Sequence, residues 1–240
     1  MGEIPLYVSL TFIAVVVSTF GFILYAARVA SPGEKDFTPT VIGTYIIVLL
    51  FITALLAYNG YYQNFNASPP RLVISIAIVM LSIVLIFSTK VGRSYVQKMP
   101  LTTLTYVHII RVPVEIVLWW LYKEGEVGVL LTFEGVNYDI VSGITAPFAG
   151  LFLVGMRSKS KFGAIAWNII ALCLLINIVY HAVLSTPYPF QKFGFEQPNV
   201  AVFKFPFIWL PTFVVPAVLF CHVASIYKLV TSKEEEEIYD

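Results

Sequence analysis

Three residues in one apolar stretch, His108, Arg111 and Glu115, carry the chemistry this sequence offers most openly. At about 100° per residue on a helix they fall within about 60° of one another and form a single polar stripe. Arginine is a permanent cation with five donors. Glutamate exchanges a proton or holds a cation, and imidazole does the same or ligates a metal. Spaced i,i+4, Arg111 and Glu115 can neutralise each other. Pro113 stands between them, without an amide hydrogen and in conflict with the carbonyl of Ile109, which predicts a kink and freed backbone acceptors at that level.

Two further groups extend the stripe. Asp139, and His181 with Asn177 one turn below it, join Glu115 in an outer cluster suited to holding a cation or small polar solute, or to relaying protons. Glu134, Asn137 and Tyr138 lie next to Asp139 in the chain and share that side. His108 and His222 stand about 10 Å and about 8 Å from the inner ends of their segments, so they meet if those helices are neighbours. Such a pair can ligate a metal or a b-type haem, the one route by which a cofactor enters this reading. A purely structural network, in which these groups only hydrogen-bond between helices, uses the same residues.

The elements that must position these side chains are apolar. Seven segments, 6–27, 40–58, 72–89, 101–121, 140–156, 162–184 and 205–227, have about the length a helix needs to cross the hydrocarbon core of a bilayer. Only Arg111 and Glu115 among the charged residues lie inside them, with Asp139 at the lip of the fifth. A charge in mid-membrane costs about 2.5–3.5 kcal/mol on the insertion scale, so span four marks the place to look for function. The whole chain holds 15 basic and 14 acidic residues in 240, is 58% hydrophobic and has a mean hydropathy of +0.83. Soluble domains are about 25% charged, against 12% here. That excludes a nucleic-acid binder with a basic face and an ordinary soluble enzyme. The expected fold is all-α, one domain over residues 1–240: a polytopic integral membrane protein built as a seven-transmembrane-helix bundle.

Orientation follows from the basic residues. Arg28 and Lys35, then Lys90, Arg93 and Lys98, then Arg157, Lys159 and Lys161, and finally Lys228 and Lys233 fall on one side of the seven spans; Arg71, Lys123, Lys192 and Lys204 fall on the other. The positive-inside rule places the N-terminus outside and the C-terminus, with its acidic tail 233–240, in the cytoplasm of a multi-pass cell-membrane protein. The lipid bilayer is then the one assured partner, a small solute or ion the candidate ligand. Pro206 fits the first turn of the seventh span, whereas Pro211 and Pro216 each free a backbone carbonyl within it, a break that transporters use to hold solutes and packed bundles use as a kink. Zinc-protease, phosphate-loop, CxxC and serine-elbow motifs are absent from the sequence, and no lysine occupies the middle of span seven for a retinal Schiff base. No catalytic motif argues for an enzyme, and a structural or partner-binding subunit is the bland alternative. Cys173 and Cys221 fall within spans and build no disulfide framework.

Arg111-Val-Pro-Val-Glu115, Thr132-Phe-Glu-Gly135, Asn137, Asp139, Gly143-Ile-Thr-Ala-Pro147 and the run from Phe205 through Pro216 to His222 resemble a group of uncharacterised bacterial seven-helix membrane proteins. The resemblance covers spans four to seven. It implies a bacterial inner-membrane location and carries no activity, cofactor or residue role.

Overall fold

The computed structural model describes residues 4–31, 33, 35–155 and 160–232. Among them the chain is all-helical, with eight helices: α1 Leu6–Ala30, α2 Thr38–Tyr58, α3 Arg71–Ser88, α4 Lys90–Lys98, α5 Leu101–Lys123, α6 Asp139–Val154, α7 Lys161–Leu184 and α8 Leu210–Thr231. The acidic run 234–237, Lys233, Arg157, Lys159 and Met156 lie outside the described residues. Proline and small caps set most of the starts. Pro39 occupies the first turn of α2, where an amide hydrogen has no use, and Pro70 and Pro100 immediately precede α3 and α5. Thr89 Oγ1 accepts the Gly92 amide at the head of α4, and Ser160 Oγ accepts that of Gly163 at the head of α7.

Six of these helices, rather than seven, are long and apolar enough to cross a membrane; α6 is shorter. It carries Pro147, widens to a π-turn over Gly150–Val154 and stops at Gly155, whose backbone is extended. The seventh expected span also shifts. Residues 205–208 form turns after Lys204, whose backbone is extended, and the helix begins at Leu210 with Pro211 in its first turn. A π-turn over Leu210–Val214 then brings Pro216 into the first turn of the regular α-helix, so neither proline interrupts an α-helical ladder. The other boundaries agree with the sequence reading within three residues. The segment expected as the connection between spans three and four folds as α4.

Burial ranks the helices. In the most apolar stretch of α8, 67% of residues are buried, and 61% in α5, against 22% in α2 and 11% in α3. Helix α5 packs on α1, α6 and α8, while α8 touches α3, α4, α5 and α7. Two central helices therefore carry the core, and the outer ones present large apolar side chains such as Val17, Phe51, Leu81, Phe148 and Ile170 to the surroundings. At one end of the α5–α8 group, buried Leu101, Val154, Ala164 and Leu229 form their own cluster. At the other end, the α5–α6 and α7–α8 connections are tied together by Lys204 Nζ, which donates to both oxygens of the buried Glu126 at 2.6 and 2.7 Å. The polar stripe lies between these two closures.

Candidate functional site

The site is assembled on α5 by the close approach of α6. A Cβ on Gly143 would lie 2.9 Å from the backbone nitrogen of Val112 and 3.2 Å from Arg111 Cβ. Only a hydrogen fits there, so α6 rests on the backbone of α5 and Asp139, one turn earlier, is delivered to Arg111. The guanidinium forms a two-pronged pair with that carboxylate: Nε donates to Oδ2 at 2.6 Å and Nη2 to Oδ1. Nη2 also donates to the Ala171 carbonyl of α7 at 3.1 Å. Arg111 is 2% exposed and Asp139 5%. This corrects the expected Arg111–Glu115 neutralisation. The planar fork of arginine matches a carboxylate approaching from a neighbouring helix, and Asp139 takes the two donors that an i,i+4 glutamate would reach only singly.

The network runs both ways from Arg111. Toward α8, Nη1 lies 3.2 Å from His222 Nε2, and His222 Nδ1 lies 2.9 Å from Asn168 Oδ1. A guanidinium only donates, so Nε2 is the acceptor and Nδ1 carries the hydrogen given to Asn168. The amide of Asn168 in turn donates to Ala164 O at 2.9 Å, which fits that orientation. Toward the α5–α6 connection, the Asp139 amide donates to Asn137 Oδ1 at 3.1 Å. Asn137 Nδ2 donates to Glu115 Oε1 at 2.6 Å and to Leu131 O at 3.0 Å. One chain of hydrogen bonds thus links α7, α8, α5 and α6 through six buried polar side chains: Asn168, His222, Arg111, Asp139, Asn137 and Glu115.

Several atoms along it are left over. Among the described residues, Glu115 Oε2, both ring nitrogens of His108, Ser142 Oγ and Ser225 Oγ are buried without a hydrogen-bond partner. Buried polar atoms in native proteins are nearly all paired with protein or water. The His108 ring stacks on His222 with centroids 3.9 Å apart and meets Trp167 edge-on at 5.4 Å. Trp167 Nε1 donates to Thr145 Oγ1 of α6 at 3.0 Å.

The two expected histidines do meet, as their equal depth suggests. They meet face to face, with both His222 nitrogens already engaged, so the pair does not direct two lone pairs at one ion or at opposite faces of a haem. Among the described residues no group of three or more His, Cys, Asp or Glu is arranged to hold a metal. Arg111, Glu115, Asp139, His108 and His222, expected as two separate constellations, come together as one. Asn177 stands at the edge, its Nδ2 donating to Val136 O at 2.9 Å beside Asn137. His181 is drawn elsewhere: its Nδ1 bonds the carbonyl of Asn177 at 2.9 Å and its ring lies against Tyr180 and Phe193. Asn168 and Trp167 are members the sequence reading did not assign to the site. An asparagine in the middle of an apolar run was the available signal.

The family described as Domain of unknown function (DUF8737) matches residues 70–230, a stretch that holds every residue of the network. No curated protein and no solved structure matches the chain.

Proposed function

This chain belongs to the DUF8737 family, whose description names no activity, and from its site we propose that it is an integral protein of a bacterial inner membrane that binds a proton or small cation at α5 and passes it between helices. The membrane part rests on surface chemistry. Six helices are long and apolar enough to cross a bilayer, and large apolar side chains such as Leu10, Val17, Phe51, Leu81 and Ile170 are exposed along their outer faces. Arg28, Lys35, Lys90, Arg93, Lys98, Lys161 and Lys228 gather at one end of the helices, which sets that end in the cytoplasm and the N-terminus outside. The shorter α6 serves as the seventh span.

The observation that carries the ion reading is a charge count. One permanent cation, Arg111, faces two buried carboxyl groups, Asp139 and Glu115, and Asp139 takes the whole fork. Glu115 keeps one amide donor and one bare oxygen. Neutrality of a site in hydrocarbon demands one more positive charge, supplied by a proton or a small cation. The bare nitrogens of His108 lie further along the same network and give a proton a second resting place. The apolar cluster at the cytoplasmic end and the Glu126–Lys204 tie at the outer end keep the site closed on both sides, as carriage without leakage requires.

The test is proton flux into proteoliposomes carrying a trapped pH dye, driven by a potassium diffusion potential. Glu115→Gln is expected to lower flux at least tenfold while the protein stays folded. A folded Arg111→Gln/Glu115→Gln double variant with wild-type flux and wild-type cation binding refutes the reading.

A further inference from the structure

Apart from the polar network, the molecule has a cavity of about 290 Å³ between α2, α3, α4 and α8. Its walls include Ile42 and Ile46 of α2, Val79 and Ile83 of α3, and Phe213 and Phe220 of α8. The wall is almost wholly apolar. Its polar side chains are engaged within the protein: Tyr45 Oη and Ser82 Oγ lie 2.8 Å apart, Thr38 Oγ1 donates to Asp36 and Tyr95 Oη to Ala27 O. Helices α2 and α3 pack mainly on α1, α4 and α8, meet one another at the Tyr45–Ser82 hydrogen bond, and are the least buried of the long helices. The cavity therefore opens sideways, between two helices that face lipid.

Its cytoplasmic end is formed by α4, the one short polar helix. Val91, Tyr95 and Val96 line the cavity, while Lys90 and Lys98 are exposed on the same helix. Gly92 is required at this wall, because a Cβ there would stand 2.1 Å from Ile86 O in the sharp turn from α3 into α4. Tyr95 Oη donates to Ala27 O at 2.5 Å and fixes α4 to the last turn of α1, where Arg28 is exposed. Arg93 is not free for a ligand: its Nη1 donates to the carbonyls of Phe87 and Ser88. Asp36, the acidic neighbour of this rim, is held by Thr38 and Ser31. An apolar slot open to lipid thus ends at α4, with Lys90 and Lys98 exposed on that helix and Arg28 exposed on the last turn of α1 tied to it.

We propose that this cleft binds an anionic phospholipid, one acyl chain lying between α2 and α3 against α8 and the headgroup phosphate resting among Arg28, Lys90 and Lys98. An aliphatic tail fits a wall without free polar atoms, and a negative headgroup complements the rim. The site rests on the membrane reading above and is independent of proton binding at α5. Because Phe213, Pro216 and Phe220 belong to the helix that carries His222, the tail packs on the element that supports the polar network.

Native mass spectrometry of the purified protein in a neutral detergent, with phosphatidylglycerol and phosphatidylcholine of identical chains, tests this. The wild type is expected to retain phosphatidylglycerol at least about tenfold better, a preference that three basic residues supply at low ionic strength. Arg28→Gln/Lys90→Gln/Lys98→Gln should bring the two lipids to parity. Ala217→Leu, which fills the cavity, and Ser82→Leu, which narrows its mouth from an accessible position, should each weaken retention of both. Glycerol phosphate alone should not compete. Equal retention of the two lipids by the wild type overturns the basic rim, and unchanged retention in a folded Ala217→Leu or Ser82→Leu protein overturns the tail site. A protein that fractionates away from membranes would refute the membrane reading itself, whereas one that stays in membranes and shows no lipid preference refutes only this site.

Discussion

Removing one partner of the Arg111–Asp139 pair should cost far more than removing both. Arg111 gives four hydrogen bonds: two to Asp139, one to His222 and one to Ala171 O. In Arg111→Met, the Asp139 carboxylate stays 5% exposed and loses both charged donors. Breaking a buried pair in this way costs about 3–5 kcal/mol, and Asp139→Leu, which strands the guanidinium, costs a similar amount. The double variant Arg111→Met/Asp139→Leu buries no charge. It leaves His222 Nε2 without a donor, while Ala171 O keeps its helical amide, for a loss of about 1–3 kcal/mol. The coupling energy of the cycle should therefore reach about 3 kcal/mol or more. Reversible unfolding in mixed micelles, followed by circular dichroism for all four proteins, measures it. At about 2–4 °C per kcal/mol for a chain of this size, each single variant should melt about 6–20 °C below the wild type. Single variants that lose less than about 1 kcal/mol, or a double variant whose loss equals the sum of the singles, would refute the claim that these charges are desolvated together.

Three other outcomes follow from the same geometry. His108→Phe keeps a ring against His222 and Trp167 and removes two buried nitrogens that have no partner, so its stability should stay within about 1 kcal/mol of the wild type; a larger loss in thermal unfolding would reveal partners for the imidazole. Gly143→Ala forces α6 off the α5 backbone and should cost about 1–3 kcal/mol, whereas Gly21→Ala, with open space around the new methyl, should be neutral or stabilising; comparable melting temperatures for the two would contradict the close approach. At the head of α2, the hydroxyl and then the amide of Thr38 hold the Asp36 carboxyl below the usual aspartate value. With the folded pKa depressed, this contribution is present above the unfolded value and is lost as pH falls through the folded one. An NMR titration should show the Asp36 midpoint rising in Thr38→Val, and an unmoved midpoint argues against those bonds.

The sequence made the helices legible because their signals are local. Apolar runs located their centres, and Pro39, Pro70 and Pro100 stand at or just before helix starts, whereas Gly155, which ends α6, lay inside the expected fifth span. Depth along each run was enough to bring His108 and His222 together. Long-range choices were hidden. Sequence distance favours Glu115 as the partner of Arg111, whereas the structure gives that place to Asp139, because Gly143 lets a whole helix approach. Asn168 was hidden for a different reason: an asparagine in a helix commonly bonds the carbonyl one turn back, and this one does so with Nδ2 while its Oδ1 serves His222. Helix α4 stayed a connection in the sequence reading because nine mostly polar residues give too short a pattern, although Thr89 was a visible cap.

The 3-10 turn before Pro113 and the histidine stack are consequences of one backbone feature. Pro113 cannot donate to Ile109 O, and the turn before it tightens to a 3-10 helix over Val107–Ile110, with the Arg111 amide bonded to His108 O. In a 3-10 turn residues three apart eclipse each other, whereas on an α-helix they diverge by about 60°. His108 therefore sits directly below Arg111. A single ring on α8 can then stack on the one and accept from the other, which is the position of His222. On this account the proline selects which side chains form the network, and the freed carbonyl is secondary.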